Sequence, residues 1–154
     1  RAGIGHKDLV NVCGWSPKIH ADTIVIVGAR DLDPSERERL HANAIHVFTM
    51  SDIDQRSISE VMREALSIAG LRNNGIHLSL DMDALDPKEA PGVGTPVRGG
   101  LTYREAHLAM EMIAGMGNLI SMDVVEVNPI LDRENATASL AVELVLSALG
   151  KKIF

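Results

Sequence analysis

Residues 23–28 read TIVIVG, a run of apolar and β-branched side chains with no polar alternation, stopped by a glycine. A strand with one wet face alternates; a short unbroken apolar run belongs to a strand covered on both faces, as in parallel sheets. The rest of the chain keeps the rhythm this implies. Asp33-Pro34-Ser35 opens a charged helical stretch to Leu40 or His41, and residues 45–48 read as a second strand. Ser57 caps a helix to Ala69, with Glu60 completing a capping box and Val61, Ala65, Leu66 and Ile68 forming its apolar face. Residues 76–80 make a third strand and residues 86–100 a glycine–proline loop. Thr102 and Glu105 form a second capping box, opening a helix to about Ala114. Residues 119–127 make a fourth strand. Residues 136–149 make a last helix with Leu140, Ala141, Leu144, Val145 and Ala148 on one stripe. Strands alternating with helices predict an α/β fold with a parallel sheet, whose ligands bind at the carboxyl ends of the strands.

Length and composition bound the rest. The 154 residues fit one domain, here residues 1–154, and 45% hydrophobic content is enough for a core. Aromatic residues are only 3%, so Leu, Ile, Val, Ala and Met must fill that core. A net charge of −6 argues against nucleic acid or an anionic membrane surface as the partner. No apolar run approaches the roughly 18–20 residues of a membrane span, and no secretory signal is visible. Cys13 is the only cysteine, which rules out an internal disulfide and fits a reducing, cytoplasmic setting. The chain opens on Arg1, so it reads as a piece of a longer protein.

The predicted strand ends carry carboxylates. In Ile76-His77-Leu78-Ser79-Leu80-Asp81-Met82-Asp83, alternation puts His77, Ser79, Asp81 and Asp83 on one face. Two carboxylates two residues apart repel unless a cation sits between them, and a hard divalent ion such as Mn²⁺ or Mg²⁺ would serve. An isolated D-x-D also suits a turn, with Asp86-Pro87 starting it. The spacing does not suit an EF-hand: position six would be Asp86 rather than glycine. After the first strand comes Arg30-Asp31-Leu32-Asp33-Pro34, where Asp33 also reads as a helix cap. In the fourth strand Glu126 falls among apolar residues, where a carboxylate needs a ligand or a buried arginine partner. The loop APGVGTPVRGG, residues 90–100, lacks the G-K-[ST] of a phosphate loop, and its glycines permit close backbone approach. The residues alone point to a metal and a cationic ligand.

The string HLSLDMDALDPKEAPGVGTPVRGG followed by LTYREAHLAME, residues 77–111, and the later VVEVNPILD, residues 124–132, resemble the signatures of the arginase–agmatinase (ureohydrolase) family. The resemblance runs from about Gly5 to Lys151. It implies the C-terminal part of a three-layer α/β/α sandwich around a parallel sheet. It implies a manganese-dependent amidinohydrolase that converts arginine to ornithine and urea by metal-assisted hydrolysis, with two Mn²⁺ per active site in the complete enzyme. By resemblance, Asp81 bridges the two ions and Asp83 binds one. Glu126 pairs with the substrate guanidinium, and Thr95 belongs to the active-site loop. Asp31, Asp33 and Glu36, in R-D-x-D-P-x-E, read the α-amino end of arginine. Arg104 and Glu105 contribute to contacts between subunits of a trimer or hexamer.

The family's G-G-D-H and D-A-H-x-D segments and its catalytic histidine motif are not in this sequence, so no catalytic group is assigned here. The expectation is an arginase fragment, inactive alone, whose missing N-terminal half is its first partner. Two other classes stay open: a non-catalytic assembly or regulatory module on the same half-fold, and an agmatinase or another guanidino or formimino hydrolase. Of the histidines, His6 reads as surface or helix-end, and His20, His41 and His46 lack a ligand pattern. His77 reads as lying behind the aspartates, and His107 as a packing or interface residue.

Overall fold

The computed structural model describes residues 2–72 and 75–152. A short helix, α1 (Lys7–Val10), is capped by His6, whose Nδ1 accepts the Asp8 N–H at 3.4 Å. Lys18 Nζ then fastens this opening segment by donating to the carbonyls of Val10 and Trp15 at 2.8 and 2.6 Å.

The predicted alternation is present. Strand β1 (Val25–Ala29) leads through helix α2 (Pro34–Ala42) to β2 (His46–Thr49), and the two strands pair in parallel. The register slips between Val27 and Ala29. Gly28 sits at the slip with φ of +89°, a conformation that favours glycine. Helix α2 buries no residue, as its run of charges foretells. Two helices follow: α3 (Met50–Arg56) and α4 (Ile58–Ala69). Strand β3 (Ile76–Asp81) pairs in parallel with β4 (Leu119–Val125) across helix α5 (Tyr103–Met116), and α6 (Ala136–Ala148) closes the chain's regular structure.

The pairing departs from one continuous sheet. Among the described residues, β1–β2 and β3–β4 form two separate two-stranded parallel ladders. What joins them is the helical layer. Helix α4 packs on β1 and on α5, and α5 packs on β4 and on α6. Ile58, Val61, Met62, Ala65 and Leu66 of α4 share one buried core with Leu80, Met82 and Leu85, and Leu140, Ala141, Leu144 and Ala148 extend that core through α6. Ile76 and Leu80 point into this core, while His77, Ser79 and Asp81 are exposed on the other face.

Two local readings need correction. Ser57 does cap α4, but only half of its capping box forms. Its Oγ accepts the Glu60 N–H at 3.4 Å, while the Glu60 carboxylate turns to Arg56 at 3.7 Å. Ser57 ends α3 as well as starting α4, with φ of +74°, and its N–H donates to the Ile53 carbonyl at 2.8 Å instead of to Glu60. Strand β4 stops at Val125, two residues short of the predicted end, because Glu126 takes a left-handed backbone with φ of +66°.

Candidate functional site

The site builds from the end of β3. Asp81 is its last residue, and the chain then tightens into a 3-10 turn, Met82–Ala84, whose apolar Met82 is fully buried. The turn donates the Asp83 N–H to Asp81 Oδ1 at 2.8 Å. So Asp83 lies beyond the strand, and a local hydrogen bond rather than strand alternation brings the two carboxylates together. Although Asp81 is exposed, partial desolvation of its carboxyl at the turn pushes it above the usual aspartate range. The Asp83 charge adds to this, against the Asp83 N–H and the Arg30 guanidinium.

The glycine–proline loop supplies the next part. Thr95 Oγ1 donates to Asp83 Oδ2 at 2.7 Å, while Asp83 Oδ1 is buried with no hydrogen-bond partner among the described residues. Glu126 comes to the same loop. A Cβ begun at Gly94 would stand 3.7 Å from its Oε2, an ordinary contact distance, so the carboxylate lies alongside the loop. Glu126 is exposed rather than embedded in an apolar strand, and among the described residues no arginine pairs with it. Its left-handed backbone costs on the order of 1–3 kcal/mol, a strain that persists only where the surroundings hold it.

Two anchors fix the loop. At its start, Asp86 accepts the N–H groups of Lys88 and Gly99 at 3.0 and 2.8 Å, and those two donors hold its carboxyl below the usual range. Farther on, the Gly92 N–H donates to Thr137 Oγ1 at 2.7 Å and its carbonyl accepts the Asn128 N–H at 2.8 Å. Asp132 completes this anchor by accepting from Arg133, Thr137 and Ala138 at the start of α6. A Cβ on Gly92 would collide with Asp132. Sequence reasoning missed Asp132 as a cap because it stands four residues ahead of α6, where the usual signal is the adjacent residue.

The acids after β1 are placed differently. Asp31 is exposed, and Asp33 precedes α2, its N–H donating to Glu36 Oε2 at 3.2 Å. Both Asp33 and Glu36 therefore serve the helix start, as the capping reading has it. Arg30 turns away from solvent and bonds to carbonyls of the Asp83 turn and of Val97, which ties the end of β1 to the corner. On the exposed face of β3 and β4, His77 meets Ser121 at 2.8 Å and Asp123 at 3.2 Å. His107 is buried between α5 and α6, against Ser147 and the Tyr103 ring. Glu105 closes the capping box with Thr102, and Arg104 lies 3.6 Å from Glu111.

The arrangement suits a hard cation in part. Asp81 and Asp83 offer oxygen donors, one of them a buried atom without a hydrogen-bond partner among the described residues. Among the described residues no group of three His, Cys, Asp or Glu side chains closes such a site. Fold and corner together define an α/β protein with a pair of carboxylates, Asp81 and Asp83, at the end of a parallel strand.

Comparison with known proteins sharpens that class. The sequence pattern of the arginase family matches residues 9–150. An arginase from Brevibacillus brevis is 52% identical over 151 residues, covering 98% of this chain and 51% of the relative. A solved arginase from Bacillus caldovelox superposes with a TM-score of 0.95 at 48% identity, over 99% of this chain and 51% of that one. A formimidoylglutamase from Bacillus subtilis is more distant, at 28% identity and a TM-score of 0.77, over 81% of this chain and 40% of that one. The chain belongs to the arginase family. It spans about half the length of the curated relatives it matches.

Proposed function

We propose that this chain is the C-terminal half of an arginase and that, joined to the missing half, it hydrolyses arginine to ornithine and urea. The observation that carries the reading is the corner itself: Asp83 held through one oxygen by Thr95, its other oxygen buried and unpartnered among the described residues, beside Asp81. Asp81 and Asp83 would hold two Mn²⁺ ions together with ligands from the missing half. Such ions supply Lewis acidity and make water a nucleophile at neutral pH. The chain's own residues bind and orient. Glu126, beside the loop, pairs with the substrate guanidinium, supplying orientation and charge complementarity. Asp31, Asp33 and Glu36, after β1, read the α-amino end, using the carboxylate lone pairs that the helix cap leaves free. Arg104 and Glu105 lie at the start of α5, where a second subunit of a homo-oligomer would meet them.

The missing half also completes the fold. Each two-stranded ladder leaves strand edges unpaired among the described residues, and further strands from that half would pair with them. Among the described residues no helix is long and apolar enough to cross a membrane. A cytoplasmic enzyme is the setting we propose.

The test is to express the chain with the first half restored, supply Mn²⁺, and measure product from arginine, agmatine and formiminoglutamate. Urea and ornithine from arginine, well above the other two, is the expected result. Preference for agmatine or formiminoglutamate would move the protein to a sibling activity, and no hydrolysis with both halves folded would favour an assembly module.

A further inference from the structure

Arg30 makes five hydrogen bonds to four backbone carbonyls: Nε and Nη2 to Val97 at 3.1 and 2.6 Å, Nη2 also to Asp83 and Leu85 at 2.7 and 3.2 Å, and Nη1 to Ala84 at 3.4 Å. Among the described residues no carboxylate lies within ion-pair distance of it. A guanidinium this committed to carbonyls, at the end of a strand and half-buried, spends its donors on holding segments together.

The segments it holds meet at the corner. Asp83, Ala84 and Leu85 lie in and just after the turn that carries the Asp83 carboxylate, and Val97 lies two residues beyond Thr95. One side of a triangle is Arg30 to the turn's backbone, the second is Arg30 to the loop's backbone, and the third is Thr95 hydroxyl to Asp83 carboxylate. The first two sides fix where the third can form. We propose that Arg30 is a positioning residue that sets the Asp83 turn against the Thr95 loop, and so fixes the aim of the Asp83 carboxylate. The inference rests on reading Asp83 as a metal ligand. It gives Arg30 a task different from contact with the substrate, although its R-D-x-D-P neighbours are assigned there.

The fork is what does this, not the charge. A lysine ammonium has three N–H groups radiating from one nitrogen and cannot reproduce the spread of a fork that reaches four carbonyls from three nitrogens. The experiment uses the enzyme with both halves present and compares wild type with Arg30→Lys and Arg30→Gln. Three quantities are read: Mn²⁺ affinity by calorimetry, the kcat and KM for arginine, and hydrogen exchange of the loop amides in metal-free protein. Both variants should bind Mn²⁺ about 10- to 100-fold more weakly and lose kcat by a similar factor, while KM stays within about twofold. Loop amides near Gly99 should exchange faster. If either folded variant keeps the wild-type Mn²⁺ affinity, kcat and loop exchange, the proposal is overturned. A loss confined to thermal stability, with affinity and kcat intact, overturns it as well. Asp83→Ala runs alongside. If that variant keeps wild-type Mn²⁺ affinity, the ligand reading of Asp83 has failed, and loop exchange in the Arg30 variants still decides whether Arg30 clamps the corner.

Discussion

Thr95 and Asp83 are joined by a hydroxyl-to-carboxylate hydrogen bond of 2.7 Å that spans 12 residues and leaves the carboxylate's other oxygen buried and, among the described residues, unpartnered. The bond divides the carboxylate into an oxygen that is held and an oxygen that is offered. A bond to a charged acceptor contributes about 1.5–3 kcal/mol, so it restrains the side chain rather than decorating it.

Thr95→Val keeps the shape and removes the donor. With both halves present, this variant should bind Mn²⁺ about tenfold more weakly, with unfolding little changed. Calorimetry against thermal denaturation checks it; an affinity equal to wild type would show that the hydroxyl has no part in aiming Asp83.

Glu126→Gln removes the charge and keeps the size. Turnover of arginine should fall by about two orders of magnitude or more, while manganese content stays near the wild-type value. Metal analysis beside steady-state kinetics separates the two. Wild-type turnover in the variant would be fatal to the guanidinium role.

The 154-residue chain on its own should self-associate. Among the described residues its ladders end in unpaired edges, and the outer face of α6 exposes Val142 and Leu146, with Leu149 just beyond the helix. It should also bind Mn²⁺ weakly, because Asp81 and Asp83 stand without a third ligand among the described residues. Light scattering and calorimetry read these directly; a monodisperse monomer counts against the first and two tight sites per chain against the second.

Acid should loosen the loop through Asp86. Its carboxyl titrates below the ordinary value near 3.8 because Lys88 and Gly99 donate to it. A lowered folded value means the unfolded chain takes up the proton first. The stabilisation is then whole above about 3.8 and is lost as pH falls through the lower folded value. Urea denaturation of wild type and Asp86→Asn should show a gap at neutral pH that narrows below that point. A gap independent of pH would assign the effect to packing.

Leu144 is fully buried where α6 meets α5. Leu144→Ala should cost about 2–5 kcal/mol of stability, read by chemical denaturation. A loss under about 1 kcal/mol would mean that the helix pair relaxes into the space.

The apolar stripes of α4 and α6 were legible because burial leaves its period in the sequence, and Thr102 with Glu105 announced α5 because a capping box is a local contract between residues three apart. Helix α3 carries the same signal, Thr49 to Asp52, yet its seven residues are too few to show a face. Glu126 was found as a candidate from its chemistry but put in the wrong setting, since nothing local tells a glutamate to adopt a left-handed backbone. Asp81 and Asp83 were found as a pair, though their joining through a turn depends on backbone that a strand pattern does not describe. Arg30 and Asp132 were out of reach altogether, because their partners lie in other segments and only the folded chain brings them together.

The bond from Gly92 to Thr137 crosses 45 residues. Contacts of that separation form late, after the intervening chain has given up its freedom. During synthesis, the loop that carries Thr95 therefore stays unset until the start of α6 has emerged, and the carboxylate corner acquires its shape at the end of folding rather than at the beginning.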